Sequence, residues 1–396
     1  MAALLHDGKP GILRTKSESA AGNIRDLHGR RNAICLGLSS YPKMLQPRRN
    51  AICEALETFS VQCLAEFRLG MLSMWMPEGS SEFRDAQFPN SFDRITFNAF
   101  AWSEDNMFKC LKWVLCESEL LKCLKLQEPI VLSFLRQVRM GYAKYSNPYH
   151  TFRHAFDVTQ FCYLLLSGGD CREVFTKHQC LALIIAAICH DLEHPGTDFA
   201  FQNCIESHLS TKYHGCQSPL ESHHLSCCRL ILDEPDSDVL ANFSPEIRLE
   251  IIDMIGKCIL ATDMSIHSDI VKNWHEKVGD GVVNVKASPQ ELTIMILQMF
   301  IKIADISNVC RPWPVSVKWS QSLIDELMRV HDSVLGLGHI PNSFLTSVAS
   351  EPEKVVYAFS VNIARPLLEI IVQILPRTRP LLSVLDSNAN RWIQGS

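Results

Sequence analysis

Residues 176–196 read TKHQCLALIIAAICHDLEHPG. From Leu181 to Cys189 every side chain is apolar, a run about half as long as a bilayer span requires, so the segment reads as a helix buried in a protein core. Its foot carries His190, Asp191 and then His194. Placing three ionisable groups there costs desolvation energy unless something compensates, and a divalent cation does so most economically. A histidine capping the helix C-terminus against the dipole would explain one imidazole, but not an adjacent His-Asp pair and a further His.

Working outward, long stretches repeat apolar residues at three- and four-residue intervals. NMFKCLKWVLCESELLKCL (106–124), EPIVLSFLRQVRMGYAKY (128–145), ELTIMILQMFIKIADI (291–306) and WSQSLIDELMRVH (319–331) all do so, as amphipathic helices require. Alternating, strand-like runs are almost absent. The expectation is an all-α, compact multi-helix domain over 89–385, a mostly disordered N-terminal arm over 1–88 and a C-terminal tail over 386–396. The chain has 396 residues, 47% of them hydrophobic, enough for a substantial core. Its formal charge of −5 provides no overall basic field for nucleic acid, and no membrane span is expected. Sixteen cysteines without a CxxC pair, behind a start that lacks a signal-peptide core, point to reduced thiols in a cytosolic or nuclear protein.

Two other segments offer ligands. In NPYHTFRHAFDVTQ, Asn147 suits a helix N-cap and Pro148 the first helical position, which puts His150 and His154 one turn apart on one face. In MFIKIADISN, Asp305 ends another apolar helix and Asn308 follows at a spacing that can share its face. Either pair alone reads equally well as half-buried histidines or a local cap. Together, two imidazoles and two carboxylates form an N/O set suited to zinc or another first-row ion. With Asp191 bridging to a second, harder ion, a hydroxide held between the two becomes a nucleophile for phosphorus, and His150 is left to protonate a leaving oxygen.

YHTFRH, HDLEHPG, SPLESHH, ILATDMS and KIADISN, in this order, resemble the catalytic domain of class I 3′,5′-cyclic nucleotide phosphodiesterases. NPYH, HAFDVTQ, LQMFIKIADISNVCRPW and KWSQ look most similar to the type-seven, cAMP-specific branch. The resemblance implies hydrolysis of cAMP to 5′-AMP with His150 as proton donor. It makes His154, His190, Asp191 and Asp305 ligands of a first metal, zinc, with Asp191 also touching a second, magnesium or manganese. It places His194, Glu221, His223 and Thr262 behind the ligands, and Asn308 and Phe359 against the purine. Four positions depart from the family pattern: Glu193 and Ser222 replace Asp and Asn, Thr346 an Asp, and Val356 a glutamine that hydrogen-bonds the purine edge. Valine offers neither donor nor acceptor, which weakens base binding by roughly 1–3 kcal/mol where the edge stays buried and unpaired. The alternatives are a phosphodiesterase of altered or dual cAMP/cGMP preference, or a catalytically weakened kinase-binding protein. A different metal phosphohydrolase, such as a nucleotidase, fits the LESHH and ADISN motifs less well.

RRNAIC occurs twice, at 30–35 and 48–53, in an arm whose first sixty residues carry nine Lys+Arg against five Asp+Glu. Basophilic kinases read arginines three and two residues before the acceptor and an aliphatic residue after it. Here Arg30, Arg31 and Ile34 frame Ala33, while Arg48, Arg49 and Ile52 frame Ala51. GRRNAI also resembles a pseudosubstrate of cAMP-dependent protein kinase, whose catalytic subunit is the expected partner of the arm. The arm should inhibit that subunit, less so as salt rises. Ala33→Ser with Ala51→Ser should make it a substrate, read by phosphate incorporation.

Overall fold

The computed structural model describes residue 92 and residues 94–394, apart from 169–170, 172–173 and 280–289. Arg30, Arg31, Ala33, Ile34, Arg48, Arg49, Ala51 and Ile52 lie outside the described residues, as does the expected boundary at 88. Within them the chain is helical, with no strand. The longer helices are α1 (Glu104–Cys116), α2 (Glu128–Tyr142), α3 (Phe152–Ser167) and α4 (Lys177–Cys189). Two short ones follow, α5 (Phe199–Cys204) and α6 (His208–Lys212), then α7 (Pro219–Asp233), α8 (Pro245–Leu260) and α9 (His267–Val278). The last third holds α10 (Gln290–Asp305), α11 (Trp313–Gly336), α12 (Ser343–Ser350), α13 (Pro352–Phe359), α14 (Arg365–Ile374) and α15 (Pro380–Gln394).

Helix α4 is the axis of the core. Thr176 and Gln179 close a capping box at its start, so the helix begins with its first N–H groups satisfied. Leu181 through Cys189 are fully buried, because α3, α7, α8 and α10 pack around it. A helix apolar on every side can persist only when covered in this way. Its C-terminal end therefore opens inside the protein, and His190 and Asp191 emerge there.

Helix α3 starts later than the sequence spacing suggests. Its N-cap is Thr151, whose hydroxyl accepts from the His154 amide at 3.4 Å. His150 thus precedes the helix, and Asn147 serves another purpose. Its amide donates to the carbonyls of His150 at 3.2 Å and His194 at 2.7 Å, tying the two histidine loops together. Gly196 lies against it at φ +72°, where a Cβ would meet Asn147 Oδ1 at 2.5 Å. Thr has the same capping chemistry as Asn, and the loop tie decides between them.

One further expectation changes. The tail expected from 386 is helical, since α15 continues to Gln394 with Asn388 donating to the carbonyls of Val309 and Arg311 at 2.9 and 2.8 Å. Among the described residues, Pro352–Ile374 is a 23-residue helical stretch, with a π turn at Ser360–Ala364, whose most apolar 18-residue window has a mean hydropathy of 1.6. That segment is long and apolar enough to cross a bilayer. In the fold, Leu367, Leu368, Ile370, Ile371 and Ile374 are core residues against α10, and exposed Arg365 pairs with Glu369 and Asp386.

A buried polar node joins α3 to the loop before α11. Arg311 is fully buried; its Nη2 donates to Gln160 Oε1 at 2.8 Å and lies 3.1 Å from Asp157 Oδ1. The ion pair is off-axis, leaving Asp157 Oδ1 and Arg311 Nε without an aligned hydrogen bond. The guanidinium also faces the Phe161 ring, 5.1 Å from its centroid. Removing one partner strands the other charge, so Arg311→Met should destabilise the protein by about 3–5 kcal/mol, measured by chemical denaturation.

Candidate metal and active site

Three helix ends meet at one point: the first turn of α3 brings His154, the end of α4 brings His190 and Asp191, and the end of α10 brings Asp305. The His154 and His190 Nε2 atoms are 3.3 Å apart. Asp305 Oδ1 lies 3.0 Å from the first and 3.2 Å from the second, and Asp191 Oδ2 lies 3.5 and 3.0 Å from them. Donors bonded at about 2.1 Å to one cation sit about 3.0 Å apart at right angles and about 3.4 Å apart at tetrahedral angles. The cluster has these edge lengths.

Proton placement agrees with a cation between these atoms. His190 Nδ1–H donates to the Ala187 carbonyl at 3.0 Å, which turns Nε2 to the cluster, where the carboxylates favour a proton on it until a cation replaces that proton. Asp191 Oδ2 is buried without an aligned hydrogen bond. Burial alone would raise both carboxyls, yet the imidazoles hold Asp191 and Asp305 well below the usual range; His190 is driven up by the same two carboxylates against its own desolvation. The four residues fit a divalent ion.

His150 stands beside this set, its Nε2 4.0 Å from Asp191 Oδ2. Its ring is held by Glu326 on α11: Nδ1 bonds Glu326 Oε1, while Oε2 accepts from the Tyr149 and His150 amides at 2.9 and 3.1 Å. Burial works against the imidazolium, but Glu326 and then Asp191 outweigh it and raise His150 to about 9. On its other side the His194 ring stacks at 3.7 Å and 20°, and burial with the adjacent His150 pushes His194 well down. One histidine is thus held charged and its neighbour neutral.

Of the residues expected behind the ligands, Glu221 lies in the first turn of α7, its carboxyl raised to about 8 by burial and by Asp263. Thr262 is buried, and its hydroxyl donates to the Ile259 carbonyl at 2.8 Å. His223 does not face the ligands. The helical phase of α7 turns it toward Glu193, 3.3 Å away, and gives the inward position to His224, whose Nδ1–H donates to the Leu192 carbonyl at 2.7 Å and whose Nε2 lies 3.9 Å from Asp191 Oδ1. Adjacent histidines cannot be told apart until the phase is known. Sequence reasoning also missed Glu326, which sits 176 residues from His150 in an ordinary amphipathic run, and Tyr142, whose hydroxyl accepts from the Asp191 amide at 3.2 Å.

Beyond the ligands, Asn308, Val309, Ser320, Leu323, Val356 and Phe359 line a cavity. Asn308 is buried, and its Oδ1 accepts from the Val309 amide at 3.0 Å. Asn308 and Ser320 are the polar side chains among the lining residues.

A family model described as 3′5′-cyclic nucleotide phosphodiesterase matches residues 149–385. The chain is 31% identical over 316 residues to cGMP-specific 3′,5′-cGMP phosphodiesterase 3 of Dictyostelium discoideum, covering 78% of this chain and 65% of that protein. It is 29% identical over 296 residues to 3′,5′-cyclic-nucleotide phosphodiesterase regA of the same organism, covering 75% and 37%. Against human high affinity cGMP-specific 3′,5′-cyclic phosphodiesterase 9A the figures are 29% over 287 residues, covering 72% and 47%. The chain thus spans between about a third and two thirds of the length of these relatives. The crystal structure of the phosphodiesterase domain of Salpingoeca rosetta rhodopsin phosphodiesterase superposes with a TM-score of 0.71 at 27% identity, covering 77% of this chain and 92% of that one. The metal-fitting cluster and its flanking histidine lie within or at the edge of the matched segment, and the chain belongs to the 3′5′-cyclic nucleotide phosphodiesterase family and carries its hydrolase domain.

Proposed function

We propose that this protein hydrolyses 3′,5′-cyclic nucleotides to 5′-monophosphates, with cAMP a substrate as the motif resemblance implies. The observation that carries the reading is the convergence of two imidazole nitrogens and two carboxylate oxygens within 3.0–3.5 Å, with a Glu-held histidine beside them. His154, His190, Asp191 and Asp305 would hold the first cation, zinc, and Asp191 would share a second, magnesium or manganese. When bound, such cations supply Lewis-acid polarisation of phosphoryl oxygens and acidify water. His150 carries the proton that the departing 3′ oxygen needs, and Glu326 fixes its ring and keeps it charged until transfer. His194, stacked on that ring, closes one side to solvent.

The base would enter the cavity between Asn308, Phe359 and Val356. An aliphatic side chain at 356 cannot distinguish adenine from guanine by hydrogen bonding, so the site should accept both cAMP and cGMP. Among the relatives, the Dictyostelium discoideum phosphodiesterase 3 and human 9A are described as cGMP-specific and another, from Takifugu rubripes, as dual for cAMP and cGMP, which supports cGMP as a substrate. The arm would add capture of the cAMP-dependent kinase through its two alanine-bearing motifs. A cytosolic or nuclear location, as the cysteine pattern of the sequence implies, is to be checked by fractionation.

His154→Ala, His190→Ala, Asp191→Ala and Asp305→Ala should each abolish turnover and lower bound metal, read by elemental analysis. His150→Ala should lower kcat about 10²–10⁴-fold with metal retained, and Glu326→Gln should do likewise to a smaller degree; loss of metal in either would show its role is misassigned. Purified protein with magnesium, given each nucleotide separately over a wide range, should hydrolyse both. Turnover of neither with the metals in place would overturn the reading. Val356→Gln should raise kcat/KM for cAMP about tenfold, the effect of one net hydrogen bond of about 1.4 kcal/mol; an unchanged value in a folded variant would mean that the base is read elsewhere.

A further inference from the structure

A second group of donors lies on the outer side of the HDLEHPG loop, and nothing in the proposed chemistry uses it. Glu193, at φ +58°, turns its side chain away from Asp191 and His194 toward α7. There His223 and Cys227, four residues apart on one helical face, complete a trio whose ligand atoms all lie within 4.8 Å of one another. Glu193 Oε2 is 3.3 Å from His223 Nε2, and Cys227 Sγ is 3.6 Å from the same nitrogen.

The separations match a zinc ion in length, while Cys227 Sγ, also 3.9 Å from His223 Nδ1, lies beside the ring and must turn about its Cα–Cβ bond to reach the Nε2 lone-pair axis when an ion binds. A tetrahedral zinc ion with nitrogen and oxygen at about 2.0–2.2 Å and sulfur at about 2.3 Å has N–O edges of about 3.4 Å and N–S edges of about 3.6 Å. The other nitrogen of His223 faces the Tyr213 hydroxyl at 3.3 Å. In that pose Nδ1–H donates to the phenol and Nε2 presents its lone pair to the trio, the usual way a metal-ligating imidazole is oriented. His223 and Cys227 are nine-tenths buried, whereas the Glu193 side chain is 28% exposed, so one side remains open for a water as fourth ligand.

We propose that Glu193, His223 and Cys227 form a further divalent-cation site for zinc or a similarly soft ion, separate from the catalytic cluster. Mixed thiolate, imidazole and carboxylate donors select such ions over magnesium or calcium. Lys144 now neutralises Glu193 at 2.5 Å with its side chain 24% exposed, and it can withdraw to water when a cation takes its place. Binding converts the Cys227 thiol to a thiolate and releases one proton to solvent. Because Glu193 lies between Asp191 and His194, an ion here ties α7 to the loop that carries both.

The catalytic cluster contains no sulfur, which gives the two sites different signatures. Reduced full-length protein, stripped of transition metals and kept in excess magnesium, should be titrated with cobalt(II), which gives a sulfur band only where a thiolate binds it. One equivalent should bind with a near-ultraviolet sulfur-to-cobalt charge-transfer band. Cys227→Ser should abolish the band while leaving hydrolysis, and Glu193→Gln should weaken it. Lys144→Met should tighten cobalt binding by removing the competing ammonium, and Tyr213→Phe should weaken it about tenfold. His154→Ala, which removes a catalytic ligand, should keep the band. Absence of a band in the wild type, or a band that survives Cys227→Ser and so comes from other thiols, would overturn the proposal whatever the outcome of the hydrolysis assays.

Discussion

Two carboxylates and two imidazoles meet inside the protein with their donor atoms 3.0–3.5 Å apart, and everything near them is arranged around that concentration of charge. Two carboxylate oxygens within 4.8 Å of each other and largely withdrawn from water are costly unless a cation lies between them. The helices can bring them there because His190, Asp191 and Asp305 stand at the C-terminal ends of apolar helices and His154 in the first turn of another. Helix α4 exemplifies this: its nine buried residues from Leu181 to Cys189 anchor it so firmly that His190 and Asp191 have little freedom. The cluster is therefore rigid before any ion arrives, the condition for a well-formed metal site.

The arrangement separates two duties among chemically similar side chains. His154 and His190 point their Nε2 atoms at the cluster, the latter because a backbone carbonyl takes its Nδ1 proton. His150 lies only one residue before the α3 N-cap, yet it answers to Glu326 on a different helix and is biased toward the charged form. His194, stacked on it, is biased toward the neutral form. Identity of residue type says little here; the second partner of each ring decides its role.

The cavity beyond the ligands follows the opposite logic. Its walls are mostly aliphatic, so they favour any flat base by burial while offering few directed contacts. Selectivity among bases needs paired donors and acceptors, because the penalty for mispairing a buried polar edge is what rejects the wrong one. A site with a strongly specified metal cluster and a weakly specified base wall would be exacting about the phosphodiester and permissive about the nucleoside.

Helical periodicity, the buried run before His190, and the placing of ionisable residues at the feet of apolar helices were all legible in the chain, because each is a local pattern with a local physical cause. The four ligands could be named for that reason. Other features depend on which side of an element faces which neighbour. Thr151 rather than Asn147 caps α3 because Asn147 is needed to join the His150 and His194 loops. His224 rather than His223 faces Asp191 because α7 lies in one rotational phase against α4, and the same phase gathers Glu193, His223 and Cys227. Glu326 meets His150, and Arg311 meets Asp157 and Gln160, across separations of more than 150 residues. Composition and spacing determined what kinds of groups would be buried together; only packing, which sets helix phase and brings distant segments into contact, decided which individual partner each group would have.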